Sequence, residues 1–206
     1  RVAGITRDGR KLVLDRTGPV MGDAGGGYQI GLAALRAAAR SLQHPRHATT
    51  LQPRVFAARG GSAVSDLGKV VEFSLRPHDR SVIASLARIV DEEARRGDAI
   101  ARGILCRAAG ELAETVYDLT DGLGMRSEAY TLAAAGSVAA KSDIYWEEFS
   151  GCVRAFAPQL RLVRLDCPQV VGLALAALAR LHPDEDGAIR RRLMDKLEEV
   201  LPHDPD

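Results

Sequence analysis

The chain has 206 residues, 46% of them hydrophobic and 27% charged, a balance that can bury one globular core. A net charge of +1 leaves no field to gather nucleic acid or an anionic membrane, so neither is expected as a partner. Cys106, Cys152 and Cys167 are odd in number, far apart and without a Cys-x-x-Cys pair. That argues against a disulfide framework or a zinc site and for a reduced, cytoplasmic setting. No apolar run reaches the roughly 18 to 20 residues that span a bilayer. The start, Arg1-Val2-Ala3-Gly4, lacks both Met and a signal-type apolar stretch, which predicts a fragment or a processed chain.

In chain order, Val2 to Thr6 and Lys11 to Asp15 flank Arg7-Asp8-Gly9-Arg10, and Asp-Gly predicts a two-residue turn closing a β-hairpin. The stretch from Gly18 to Gly31 then reads G-P-V-M-G-D-A-G-G-G-Y-Q-I-G, with six glycines among its fourteen residues. Without Cβ atoms, that backbone can take positive φ and approach a ligand closely. Asp23 is the one strongly polar side chain inside it. A helix is predicted from Leu32 to Leu42, with Ile30, Leu35 and Leu42 on its apolar stripe, so the loop would deliver its N–H groups and Asp23 to a helix start.

Further helices are predicted over Ala48 to Ala58, ending at Gly60-Gly61-Ser62, and from Pro77, where Val82, Leu86, Ile89, Val90 and Ala94 keep helical spacing. Val70 to Leu75 fits a strand or a helix end. Gly97-Asp98 supplies a stop and a new N-cap. The next helix carries Ile100, Ile104, Ala108, Leu112, Val116, Leu119 and Leu123, a stripe read as core packing in preference to a dimer seam. Glu111 and Glu114 on it read as a solvated face. Ala129 to Ala134 is a buried-strand candidate, leading through Ala135-Gly136-Ser137 into a helix from about Ser142 to Phe156, on which Trp146 reads as a packing residue. Leu160 to Leu165 is a second strand, followed by Asp166 to Gly172 and an apolar helix from Leu173 to Leu181. Strand, helix, strand and helix in succession predict a right-handed parallel crossover. A last amphipathic helix is expected over Ala188 to Leu201, with Arg190-Arg191-Arg192 solvated. His44, His47, His78, His182 and His203 have no partners at metal spacing and read as surface residues.

The Gly18–Gly31 segment resembles the G-P-x-x-G-D-E-G-S-G-Y-x-I-G signature of N-acetylglucosamine kinases and the related BadF/BadG/BcrA/BcrD ATPase family. Two positions depart from it: Ala24 stands where the family has Glu, and Gly26 where it has Ser. Ala135-Gly136-Ser137 is similar to the Gly-Gly-Val or Gly-Gly-Ser adenosine motif, and Pro168, Val171, Gly172, Leu173 and Ala174 to a later Pro-x-Val-Gly-Ala-Ala helix. Gly97-Asp98 resembles the family's Ala-Gly-Asp turn. The resemblance covers nearly the whole chain.

The resemblance implies an α/β fold, the C-terminal lobe of an actin-like, ribonuclease-H-like ATPase domain, as a single unit over 1–206. It implies a mixed sheet flanked by helices, with a helical insertion at about 32–124. Asp23, with Gly22, Gly25 and Gly26, would hold an amino sugar; Ala135, Gly136 and Ser137 would approach adenosine; ATP and Mg²⁺ would be cofactors. In such kinases the first phosphate loop and the catalytic Asp lie in a preceding lobe, which is absent here. Phosphoryl transfer requires both lobes around the γ-phosphate, so the resemblance predicts no turnover from these residues alone. Alternatives are a diverged sugar- or nucleotide-binding or homodimerisation module and, less favoured, the activator ATPase of a 2-hydroxyacyl-CoA dehydratase. The activator needs cysteines holding an iron–sulfur cluster, and these three show no ligand pattern.

Overall fold

A computed structural model describes residues 1–58 and 79–165. The expectations for Gly60-Gly61-Ser62, Val70 to Leu75 and everything from Asp166 onward, including Cys167 and the two last helices, lie outside the described residues. So do His78, His182 and His203.

Strands β1 (Val2–Ile5) and β2 (Lys11–Leu14) form the expected antiparallel hairpin, with Val2 opposite Leu14 and Ile5 opposite Lys11. Its turn differs from the expected one. Gly9 N–H donates to the Thr6 carbonyl at 3.0 Å and Thr6 N–H to the Arg10 carbonyl at 3.0 Å. Gly9 alone takes positive φ, +88°, while Asp8 does not. Arg7 and Asp8 are therefore the turn's centre and Gly9 its left-handed exit, the three-residue arrangement in place of the two-residue one. The reason lies in the side chains: the Asp8 carboxylate accepts from both the Thr6 hydroxyl and Arg10 Nε, which holds it inside the turn.

Among the described residues six α-helices follow or separate the strands. They are α1 (Gly27–Ser41), α2 (Leu51–Ala57), α3 (Arg80–Arg95), α4 (Ala99–Leu123), α5 (Ser137–Lys141) and α6 (Asp143–Phe156), with a 3-10 turn at Pro45–His47. Their ends are set by short polar residues, as capping requires. Asp79 accepts from Ser81 N–H, Asp98 from Ala101 N–H and Ser142 from Tyr145 N–H, and Gly124 closes α4 at φ +69°. The helix expected from Leu32 begins five residues earlier, inside the glycine run. Its buried stripe is Ile30, Gly31, Ala34 and Ala38, whereas Leu35 and Leu42 are only half-buried. Small residues win that face because α3 lies against it.

The stripe on α4 is core: Ile104, Ala108, Val116, Leu119 and Leu123 are buried, Ile100 and Leu112 half-buried, and Glu111 and Glu114 face solvent. The hairpin lies tightly on this helix, since a Cβ on Gly4 would stand 2.7 Å from Leu119 Cδ2. Strands β3 (Thr131–Ala134) and β4 (Arg161–Arg164) pair in parallel, Thr131 opposite Arg161, across the α5–α6 connection. Among the described residues the expected mixed sheet is thus two separate two-stranded pieces. Arg7 links them, donating to the Ala129 carbonyl at 3.3 Å and lying over the Tyr130 ring at 5.3 Å.

Candidate functional site

The hairpin's second strand ends at Asp15, and the glycine loop runs from there to the start of α1. Asp15 and Asp23 are the only non-glycine residues with positive φ among those described, at 59° and 56°. Asp15 Oδ1 accepts the Asp23 N–H at 2.7 Å and Oδ2 the Ala24 N–H at 2.9 Å. Asp23 then turns the chain: its carbonyl accepts from Gly26 N–H at 2.9 Å, and Gly26 serves as the N-cap residue of α1 without a side-chain cap.

The glycines are there for close approach. A Cβ on Gly22 would lie 2.3 Å from Asp15 Oδ1, and one on Gly25, whose φ is +71°, 2.5 Å from the Tyr145 hydroxyl and 2.6 Å from the Ala108 carbonyl. Gln29, in the first turn of α1, reaches back to donate to the Pro19 carbonyl at 2.5 Å and the Gly22 carbonyl at 3.1 Å. The loop is thereby pinned from both ends. The Asp23 carboxylate, half-exposed, makes no hydrogen bond or ion pair with any described residue. Val20 and Met21, at 80% and 79% exposure, form an apolar tip beside it.

The second cluster sits at the C-terminal end of β3. Ala135 and Ser137 are exposed and Gly136 takes φ +115°, which opens the backbone between strand and helix. Two contacts bring this end of the fold to the glycine loop. Val138 Cγ2 lies 3.7 Å from where a Gly27 Cβ would be, and the buried Tyr145 hydroxyl donates to the Gly25 carbonyl at 3.0 Å. Burial, then Glu111, pushes the Tyr145 pKa up, so the hydroxyl stays a donor. Asp15, Gln29 and Tyr145 were not singled out from sequence. Asp15, three residues before Gly18, and Gln29, two after Gly27, gave no signal of the N–H groups and carbonyls they meet. Tyr145, 120 residues from its partner, gave none.

The remaining polar groups are elsewhere. Trp146 is half-buried, its ring 5.8 Å from that of Phe149, in keeping with packing. The His47 pKa is lowered, by burial first and then by Arg40 and Arg46, whose Nε atoms both donate to its Nε2. Among the described residues no group of three or more His, Cys, Asp or Glu could hold a metal ion. Cys106 and Cys152 are free thiols, both pushed up chiefly by burial. Cys152 lines a cleft of about 240 Å³ with Arg102, Ile144, Glu147, Glu148 and Gly151, none of them a residue of either cluster.

The Asp23 carboxylate, on a glycine-lined loop at a helix start, and the strand–glycine–helix turn at Gly136 thus belong to one α/β unit. The chain belongs to the BadF/BadG/BcrA/BcrD ATPase family, whose profile matches residues 1–153. It is 26% identical over 175 residues to an N-acetylmuramic acid/N-acetylglucosamine kinase of Clostridium acetobutylicum, covering 84% of this chain and 56% of the relative. It is also 26% identical over 178 residues to an N-acetyl-D-glucosamine kinase of Dictyostelium discoideum, covering 85% and 55%. The fold is similar to a Chromobacterium violaceum crystal structure provisionally described as an N-acetylglucosamine kinase. That match has TM-score 0.55 and 19% identity over 78% of this chain and 50% of the other. The chain spans about half the length of the curated relatives it matches.

Proposed function

We propose that these residues form the sugar-loop lobe of an ATP-dependent amino-sugar kinase with the actin-like, ribonuclease-H-like architecture. Its substrate is of the N-acetylglucosamine class, and the unpaired cysteines support a reduced, cytoplasmic setting for it. The observation that carries the reading is the Asp23 carboxylate, left without a protein partner among the described residues on a loop otherwise tied down by hydrogen bonds. In this role Asp23 accepts hydrogen bonds from sugar hydroxyls, while Gly22, Gly25 and Gly26, whose missing Cβ atoms make room for Asp15, Tyr145 and the Asp23 carbonyl, shape the loop that presents it. Ala135, Gly136 and Ser137 take the adenosine side, where Gly136, at φ +115°, carries the chain from strand to helix without a Cβ. Mg²⁺ would come with the ATP phosphates and neutralise their charge, bound fully only together with a preceding lobe.

Charge-assisted hydrogen bonds contribute about 1.5–3 kcal/mol each, so losing the Asp23 carboxylate corresponds to roughly a 10- to 150-fold drop in affinity. Titrating N-acetylglucosamine into the 206-residue chain and its Asp23→Ala variant, followed by amide shifts, tests this. Equal affinities for the two would end the assignment. These residues alone are expected to show no ATP-dependent phosphorylation of N-acetylglucosamine, and robust turnover would contradict the two-lobe requirement. A second reading, a sugar- or nucleotide-binding or homodimerisation module without chemistry, is favoured by Ala24 and Ala135, which replace family residues at both clusters.

A further inference from the structure

We infer that Asp15 is the positioning residue of the sugar loop: its carboxylate clamps two successive backbone N–H groups and so fixes Asp23 in the left-handed conformation from which it meets the ligand. The inference rests on the reading of Asp23 given above. Four observations carry it.

Both Asp15 oxygens are engaged, one on Asp23 N–H at 2.7 Å and one on Ala24 N–H at 2.9 Å, so the carboxylate grips consecutive peptide units from one side. Left-handed φ is sparsely populated for residues with a Cβ and persists only where the surroundings enforce it. Here the two such residues are Asp15 and Asp23 themselves, and the clamp joins one to the other. Gly22 has no room for a Cβ because Asp15 Oδ1 and Thr17 Oγ1 occupy the space, at 2.3 and 2.5 Å from where it would be. Finally, the two acids are treated oppositely: the Asp15 side chain is 8% exposed and used inwardly, whereas Asp23 is half-exposed and unpaired among the described residues.

One consequence refines the proposed site. The N–H groups of Asp23 and Ala24 are already taken by Asp15, and that of Gly26 by the Asp23 carbonyl. Recognition through this segment therefore falls on the Asp23 carboxylate, and these three amides act as scaffolding. Asp15 touches no sugar in this arrangement; it acts through Asp23.

Amide hydrogen exchange on the ligand-free 206-residue chain reads the clamp directly. Asp15→Ala is expected to accelerate exchange at Asp23 and Ala24 N–H by about tenfold or more. Asp15→Asn, which keeps one acceptor oxygen of the two and loses the charge, should give an intermediate effect. The same order, wild type, Asn, Ala, is expected for N-acetylglucosamine affinity. Unchanged exchange in Asp15→Ala overturns the clamp. Accelerated exchange with wild-type sugar affinity, where Asp23→Ala loses that affinity, overturns the positioning role and leaves the Asp23 assignment standing. If Asp23→Ala binds as wild type does, the site reading fails while the exchange result still decides the clamp. Thermal melts establish that each variant is folded, and Asp15→Asn carries the test if Asp15→Ala is not.

Discussion

Tyr145 and Gly25 stand 120 positions apart in sequence and are joined by one buried hydrogen bond, hydroxyl to carbonyl, at 3.0 Å. Through it α6 holds the glycine loop. Tyr145→Phe keeps the ring and removes only the donor, leaving the Gly25 carbonyl buried and unpaired. Such an orphan costs about 1–3 kcal/mol. Urea denaturation should therefore show a lower midpoint with an unchanged m value; an unaltered midpoint would mean that water or another group replaces the hydroxyl.

Gly25 and Gly124 have almost the same backbone, φ +71° and +69°, but different surroundings. A Cβ on Gly124 meets nothing within 4 Å, whereas one on Gly25 meets the Tyr145 hydroxyl, the Ala108 carbonyl and Leu112 Cβ, all under 3 Å. Gly124→Ala should cost only the left-handed strain of one residue, about 1–2 kcal/mol. Gly25→Ala carries the same strain plus overpacking of about 1–3 kcal/mol. Thermal unfolding of the pair isolates the packing part; equal losses would show that the loop does not seat against α4 and α6 as described.

Acid sensitivity should concentrate where α2 meets the α3–α4 junction. Glu93, its side chain 4% exposed, binds Arg54 and Arg96 at 2.6 Å each. Asp98 caps α4 and accepts from Thr49 and Thr50. The Glu93 pKa is lowered by its hydrogen bonds to Thr50, then Arg54, against the opposing effect of burial. For Asp98 burial is the largest single influence and pushes upward, but the hydrogen bonds from Ala101, Thr49 and Thr50 together outweigh it. Both folded values thus lie below the ordinary 4.5 and 3.8. A depressed carboxyl contributes stability that is fully present above its unfolded pKa and lost as pH falls through the folded one. Stability should hold above about pH 5 and fall below pH 4. In Asp98→Ala the loss of the cap should cost about 0.5–2 kcal/mol at neutral pH and flatten the acid limb of a stability-against-pH curve. An acid limb as steep as that of the wild type would place the titrating group elsewhere.

The elements legible from sequence were those whose signals are local. Asp98 announced the start of α4, Gly124 its end, and the regular spacing from Ile100 to Leu123 its buried side. The parallel pairing of β3 with β4 followed from two short apolar runs separated by a helix. What stayed hidden depends on partners remote in the chain. Leu35 and Leu42 looked like the core stripe of α1, yet Ala34, Ala38 and Gly31 took that face because α3 comes too close for larger residues, a fact recorded 52 positions beyond Gly31 at Ile83. Asp23 stood out as the lone acid among glycines. Asp15, which holds it, carried no pattern, since nothing in a single acid at a strand end says which N–H groups it will meet.

The α1–α3 contact gives a further test of how closely glycine governs packing here. A Cβ on Gly31 would fall 1.9 Å from the Ile83 carbonyl oxygen, backbone on both sides, so neither element can yield by a rotamer change. Gly31→Ala must push the two helices apart, and overpacking of this kind costs about 1–3 kcal/mol or more, well beyond any gain in helix propensity. Gly103 is also in a helix interior, in α4, but its Cβ would enter open space. There the same substitution should stabilise the chain by about 0.5–1 kcal/mol, because alanine loses less backbone freedom than glycine on folding. Denaturation midpoints moving in opposite directions for the two variants would bear out the close approach of α1 to α3. A Gly31→Ala variant as stable as Gly103→Ala would refute it and, with it, the seat on which the glycine loop enters α1.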